Sequence, residues 1–296
     1  MKKAVLAYLI IIGLVSVPVY YFFQKIRIAN ENYRGKTAEL VSYDDKNGNC
    51  AGELFYKTGT PIQTIYAAMG QLYVSGVSKK LTVVNLADSS KALQFDGDVY
   101  SSFYSYGGSL YASDYFNDRI VQILLSKDGE FSTKKTEAKV GLPSALVIDG
   151  GHYFVSNYAS GNITKVIGRD GFLFKTNFDQ ITGMEIKDRS IFLVRTKSLP
   201  SLVSLNLDNG EKKIIDDEKD FSAIASVSGE LYAGFRDNNK TKIGRVVDSE
   251  IINEKSLDCS FPVKIAGWND KIYYASTIDK EGKIFILSSH PERSTP

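Results

Sequence analysis

Four polar residues stand at the same place in a recurring phrase of this 296-residue chain: Asp114, Asn157, Arg195 and Arg236. Asp114 follows Leu110-Tyr111-Ala112-Ser113, Asn157 follows Tyr153-Phe154-Val155-Ser156, and Arg195 follows Ile191-Phe192-Leu193-Val194. Arg236 comes one residue later in its copy, after Leu231-Tyr232-Ala233-Gly234-Phe235. If these positions share one rim, a carboxylate, an amide and two guanidinium groups converge there, a polar pocket for a small anion, a sugar or a peptide. Asp114 and Asn157 also offer the hard oxygen donors that a calcium ion takes. Residues of these types at strand ends equally cap loops and pair with each other or with backbone amides, so both uses stand open. Other chemistry has less support. Of the two histidines, His152 falls in a turn on the face opposite the rim and His290 in the C-terminal tail. No G-x-S-x-G, HExxH, CxxC or Walker pattern occurs, so nucleophilic, zinc, redox and nucleotide chemistry have no motif behind them. The acidic cluster Tyr43-Asp44-Asp45-Lys46-Asn47-Gly48-Asn49 reads as a turn, because its glycine comes too early for a calcium loop and no glutamate occupies the twelfth position.

The elements that must position the rim follow from the phrase itself. It recurs at Gly70-Gln71-Leu72-Tyr73-Val74-Ser75, Gly108 to Ser113, Gly151 to Ser156, Asp188 to Leu193, Gly229 to Gly234 and Asp270 to Ser276. The first bulky residues of the copies, Leu72, Leu110, Tyr153, Ile191, Leu231 and Ile272, are 38, 43, 38, 40 and 41 residues apart. A period of about 40 residues holding several short strands is that of a β-propeller blade. Six copies predict an all-β, six-bladed propeller, each blade running as strands A, B, C and D with the phrase as strand B. Strand C reads as Leu81-Val84, Ile120-Ile123, Ile163-Val166, Leu202-Leu205, Lys242-Val246 and Lys283-Ile286, and Asp128-Gly129, Asp170-Gly171 and Asn209-Gly210 read as C–D hairpin turns. The sixth repeat ends after its strand C, whereas Glu53 to Thr58 precedes the first strand A. Pairing these two ends would remove the open edges of the ring, so residues 52–290 are read as one propeller closed by a strand from 52–58, with 291–296 as a tail.

Composition fits this reading. Tyr (18) and Phe (16) are frequent, as suits pleated surfaces. A net charge of +2 with scattered Lys and Arg gives no basic stripe, so nucleic acid is not an expected partner. After Lys2 and Lys3, the twenty residues from Ala4 to Phe23 carry no charge, enough for one membrane-spanning helix. Tyr20 to Phe23 form an interfacial aromatic belt, and no Ala-x-Ala cleavage pattern follows. Residues 1–24 are therefore read as an N-terminal transmembrane signal-anchor and 25–51 as a juxtamembrane stalk; a cleaved signal peptide is the alternative. Lys and Arg counts on the two sides do not set orientation, but a short N-terminal tail before a large domain is the layout of an exported protein. The propeller is expected on the extracytoplasmic (periplasmic) side. The strand order sets Cys50 and Cys259 near opposite ends of the blades, while a bridge needs Cα atoms within about 7 Å, so a disulfide between them is left open as the less favoured reading.

One stretch carries a family resemblance. Leu142-Pro143-Ser144-Ala145-Leu146-Val147-Ile148-Asp149-Gly150, with Tyr153 to Asn157 and Ile163 to Val166, resembles an NHL-type repeat of the six-bladed propellers, a group that includes lactonase-like and surface-layer-like members. The resemblance implies the fold over residues 52–288. Lactonase-like propellers hold a divalent cation with Glu, Asn and Asp, which on this chain would fall to Asp114 and Asn157. The glutamate expected early in a strand A is missing from Ile62-Ala68 and Tyr100-Tyr106. Quinone-dependent dehydrogenases would show Trp-rich repeats, whereas Trp268 is the single tryptophan, read as packing on the sixth blade. No cofactor is predicted, with calcium the one candidate ion. The expected function is a non-enzymatic interaction or scaffold subunit of a cell-envelope assembly, whose partners are other envelope or membrane proteins and, through the N-terminal helix, the membrane. A metal-dependent lactonase, hydrolase or lyase, and a sensor for a small ligand in the channel, are the alternatives. Tyr104, Tyr106, Tyr115 and Phe116 either form a contact surface or pack between blades.

Overall fold

The computed structural model describes residues 50–288 apart from 127–129, 137, 139, 176–177, 179, 197–200 and 279. The expected membrane helix, the stalk up to residue 49, the Asp128-Gly129 turn, His290 and the 291–296 tail lie outside the described residues. Among those described, no helix is long and apolar enough to cross a membrane.

Among the described residues, twenty-four strands form six four-stranded antiparallel sheets. The strand β1 (Glu53–Thr58) belongs to the last of them. The first blade is β2 (Ile62–Ala68), β3 (Gln71–Gly76), β4 (Lys80–Asn85) and β5 (Ala92–Asp96). The second is β6 (Tyr100–Tyr106), β7 (Ser109–Asp114), β8 (Arg119–Leu125) and β9 (Phe131–Lys135). Next come β10 (Pro143–Asp149), β11 (His152–Asn157), β12 (Asn162–Ile167) and β13 (Asp170–Lys175). Blade four is β14 (Ile181–Lys187), β15 (Ser190–Arg195), β16 (Ser201–Asn206) and β17 (Lys212–Asp216). Blade five is β18 (Asp220–Val227), β19 (Glu230–Asp237), β20 (Lys240–Val247) and β21 (Glu250–Ser256). Blade six is β22 (Lys264–Trp268), β23 (Lys271–Ile278) and β24 (Glu281–Ser288), with β1 paired to β24 as its outer strand.

The innermost strands β2, β6, β10, β14, β18 and β22 each contact the next and close a ring. Apolar alternation on both faces of each sheet yields one hydrophobic cluster per seam between blades. Tyr73, Phe103 and Val121 fill the first seam, and Val147, Phe154 and Leu193 the third. Trp268 packs in the seam where blade six meets blade one. Five of the six A–B turns place two successive residues at positive φ: Met69-Gly70, Gly107-Gly108, Gly150-Gly151, Asp188-Arg189 and Ser228-Gly229. That is the geometry of a two-residue type I′ hairpin, whose twist matches the strands it joins.

Two expectations are corrected. The C–D turn of blade three is not Asp170-Gly171: Ile167 pairs with Asp170, so the two loop residues are Gly168 and Arg169, with Gly168 at φ 59. More consequentially, Cys50 and Cys259 form a disulfide with Cα atoms 4.8 Å apart. Strand polarity alone put Cys50 beyond the far end of β1. Gly52, at φ +98 and so close to Ile286 that a Cβ would meet its carbonyl oxygen at 2.5 Å, instead turns the chain into the seam between blades five and six. There Ala51 N–H donates to Leu257 O (2.7 Å), the Tyr274 hydroxyl donates to Ala51 O, and Cys50 packs on the cluster of Tyr232, Leu257 and Tyr274.

Candidate functional site: rim and channel

Each of the four rim residues is engaged inside its own blade. Asp114 ends β7 with no exposed surface, and its Oδ2 accepts from Arg119 Nε at 2.6 Å. Both of its oxygens accept from Asn117 Nδ2 at 2.9 Å, and Arg119 Nη2 continues to Asp98 at 3.0 Å. Burial raises the Asp114 pKa against the opposing pull of Arg119 and Asn117. Asn157 donates to Thr164 Oγ1 at 2.8 Å and accepts the Gly141 N–H at 3.3 Å. Arg195, buried at the end of β15, donates to Ser201 Oγ at 3.2 Å across the B–C loop. Arg236 holds Asp220 through Nη2 at 2.6 Å and Nε at 3.1 Å, with its guanidinium 5.0 Å from the centre of the Phe261 ring. These bonds knit loops to strands. As a calcium site the pair Asp114 and Asn157 does not fit: a guanidinium already sits on the carboxylate where a cation would bind. Among the described residues no group of three or more His, Cys, Asp or Glu is placed to hold a metal.

Polar groups also gather in the central channel, at positions the sequence reading does not single out. The phrase supplies the register. Its aromatic residues Tyr73, Tyr111, Phe154, Phe192, Tyr232 and Tyr273 stand opposite Tyr66, Tyr104, Val147, Glu185, Ala225 and Ala266 on the inner strands. These six form one level of the channel. Two residues nearer the rim is a second level, Thr64, Ser102, Ala145, Gly183, Ala223 and Lys264. Side chains and backbone from all six inner strands line a cavity of about 160 Å³ that includes Tyr66, Tyr104, Thr182, Glu185, Ser222 and Lys264.

At the deeper level, equivalent side chains perform equivalent bonds. The Tyr66 hydroxyl accepts the Ser105 N–H of the next blade at 2.9 Å. Glu185 Oε2 accepts the Ser226 N–H of its next blade at 3.3 Å, and Oε1 accepts Ile186 N–H at 3.1 Å. Ser105 and Ser226 occupy the same register position, opposite Leu110 and Leu231. Inner strands have a free edge toward the channel, and these side chains satisfy donors that no strand covers. Glu185 is partly open to the channel, yet loss of bulk water pushes its pKa up to about 7, and the two amides only moderate this. The same desolvation lowers the Lys264 pKa and raises those of Tyr66 and Tyr104.

At the channel mouth, five inner strands carry a β-bulge that sets apart Gln63, Ser101, Ser144, Thr182 and Ser222. Three of these hydroxyls donate to the inner strand or entering loop of the following blade: Ser101 to Pro143 O (2.6 Å), Ser144 to Ile181 O (2.7 Å) and Ser222 to Val263 O (3.0 Å). Thr182 is the exception, a buried hydroxyl without a hydrogen-bond partner.

The aromatics offered as a contact surface divide. Tyr104 lines the channel 6.4 Å from the Tyr66 ring, and Tyr115 is buried against Phe116 and Tyr158. Tyr106 is exposed. Larger apolar exposure lies on the outer strand of blade three, where Phe172 is 54% and Leu173 62% exposed.

No family model matches the chain, and no protein of curated function matches it. Solved structures do. A glucose dehydrogenase superposes with a TM-score of 0.59 at 10% identity, over 80% of this chain and 99% of that one. The PQQ-bound aldose sugar dehydrogenase from Streptomyces coelicolor gives 0.55 at 12% identity, over 83% and 100%. A chain of a mitotic checkpoint complex gives 0.53 at 9% identity, over 79% and 76%. These likenesses show the fold alone. The chain is a six-bladed β-propeller. It resembles the NHL-like and lactonase-like group at that level.

Proposed function

We propose that this protein is a membrane-anchored, extracytoplasmic propeller serving as a non-enzymatic interaction subunit of a cell-envelope assembly. The observation that carries the interaction reading is β13. Its outer edge pairs with no strand among the described residues, and Phe172, Leu173 and the adjacent Ile167 are all exposed. A free strand edge bearing large apolar side chains is a template for an added strand, and proteins that remain monomeric usually blunt such edges. Lys165 stands opposite Phe172 and Lys175 ends the strand, so the favoured partner segment is extended, apolar and acidic at its flanks. That one of the similar structures sits within a multiprotein complex agrees with this use of the fold.

The compartment reading is supported by the Cys50–Cys259 bond, since structural disulfides persist where the environment is oxidising. The apolar run from Ala4 to Phe23 supplies the anchor.

The test is mild detergent extraction of the intact chain from native membranes, with sizing and mass spectrometry of what travels with it. A parallel preparation carries Phe172→Glu and Leu173→Lys. The expected result is a large particle whose reproducible partners are lost from the variant while the propeller stays folded. A lone species of the chain's own mass in both preparations overturns the interaction reading. Non-reducing electrophoresis of the protein trapped in cells checks the compartment separately: a reduced Cys50 and Cys259 would rule out an oxidising one.

A further inference from the structure

We propose that the central channel is a binding site for a small monocarboxylate bearing a terminal hydroxyl or amine, with the carboxylate held at Lys264 and Thr182 and the other end at Glu185. This site is distinct from the β13 edge and does not depend on the scaffold reading.

Three groups of the channel lining keep unused hydrogen-bonding capacity once the bonds of the fold are drawn. Lys264 lines the cavity and has no hydrogen-bond or ion-pair partner among the described residues. An ammonium in a confined site is held at a cost unless an anion or ordered water meets it. Thr182 Oγ1 is buried and unpartnered in the same wall, although its counterparts in three other blades bond to the following blade. Glu185 gives one lone pair on each oxygen to a backbone amide, and the remaining lone pairs are available to the cavity its side chain lines. Lys264 and Glu185 are not paired with each other. They stand on blades six and four and at different levels of the channel.

The dimensions select the ligand. The two levels are two residues apart along the inner strands, about 6.6 Å of backbone rise, so a chain of about four carbons is the length to probe. A cavity of about 160 Å³ matches the size that accepts a molecule of about six heavy atoms. At the level of Glu185, the rings of Tyr66 and Tyr104 lie 6.4 Å apart and line the same cavity, apolar surface for the methylenes. The lowered Lys264 pKa and raised Glu185 pKa are what two desolvated groups show while no opposite charge lies against either of them.

The experiment is calorimetric titration of the intact chain in detergent with γ-hydroxybutyrate, γ-aminobutyrate, butyrate and the neutral isostere γ-hydroxybutyramide. The hydroxy or amino acid is expected to bind, and the amide to bind at least about tenfold more weakly, as loss of a charge-assisted hydrogen bond requires. Butyrate is expected to bind a few-fold more weakly because it leaves Glu185 without a partner. Lys264→Met should reduce carboxylate binding about tenfold or more. Thr182→Val removes a hydroxyl the fold does not use, so it should stay folded and weaken carboxylate binding more than amide binding; it carries the same reading if Lys264→Met does not fold. Equal affinity for carboxylate and amide, binding unchanged in Thr182→Val and Lys264→Met, or no heat from any of the carboxylates at about 10 mM, each overturns the proposal and leaves a channel filled by water.

Discussion

The rim and the channel are built from the same six repeats, yet they treat polar groups in opposite ways. At the rim, Asp114 is fully buried and accepts from Asn117 and Arg119, Arg119 continues to Asp98, and Arg236 grips Asp220. In the channel, Lys264 has no partner among the described residues, Thr182 is an orphan hydroxyl, and Glu185 carries a pKa pushed up to about 7. A charge at a loop-bearing rim therefore says little about ligands until its bonds are counted. Saturated groups hold the structure, and unsaturated ones are available to something else.

If that contrast is right, the largest effect belongs to the rim. Asp114→Ala removes a buried carboxylate and strands Arg119, Asn117 and the 3-10 turn at Tyr115–Asn117 that follows. Breaking one side of a buried pair costs roughly 3–5 kcal/mol, read as a fall in the urea midpoint with unchanged slope. A loss below about 1 kcal/mol, the range of an exposed pair, would mean the rim is not a locked network and would reopen it as a ligand site.

Glu185 is expected to act through pH. Its folded pKa lies above the ordinary value of 4.5, so the fold favours the neutral acid. Stability from this group is complete below about pH 4.5 and is lost as pH rises through 7. The total is roughly 2–3 kcal/mol, somewhat under the full shift because the carboxyl still sees channel water. Glu185→Gln should flatten this part of the stability–pH curve and leave the variant more stable than the native chain at pH 8. An unaltered curve would place the raised pKa elsewhere.

How much of this could be read beforehand depends on what each feature is made of. The blades were legible because a period near 40 residues and a fixed aromatic are local and repeated. The closing strand follows from counting, since a last repeat without its strand D and a first strand without a blade satisfy each other's edges. Cys50–Cys259 was not legible, because it depends on a single turn at Gly52 rather than on strand order. The rim positions are legible but their partners are less so: Arg119 and Asp98 sit outside the recurring phrase, Arg119 meeting Asp114 as its cross-strand neighbour in the β7–β8 hairpin and Asp98 joining through Arg119. Glu185 and Lys264 were missed for a different reason. The first two inner strands carry no glutamate, and only aligning every repeat on its aromatic puts Glu185 in the column of Tyr66 and Tyr104. A lone charge in an apolar column was the available signal.

The smallest expected effects make the sharpest comparison, because they fall at one bulge position in adjacent blades. Ser144→Ala removes a hydroxyl that donates to Ile181 O and exchanges a bond with Ser156 at 2.8 Å, leaving buried partners unmet. About 1–2 kcal/mol of stability should go with it. Thr182→Val keeps the shape of its side chain and removes a hydroxyl that bonds to nothing, so its effect should be neutral or stabilising, up to about 1 kcal/mol. Both are measured by denaturant unfolding of the chain without added ligand. If Thr182→Val costs as much as Ser144→Ala, its hydroxyl belongs to the structural belt after all, and the channel keeps one fewer group in reserve. If the two variants separate as expected, the polar wall at blade four is held at the expense of stability, which is the mark of a group retained for something other than folding.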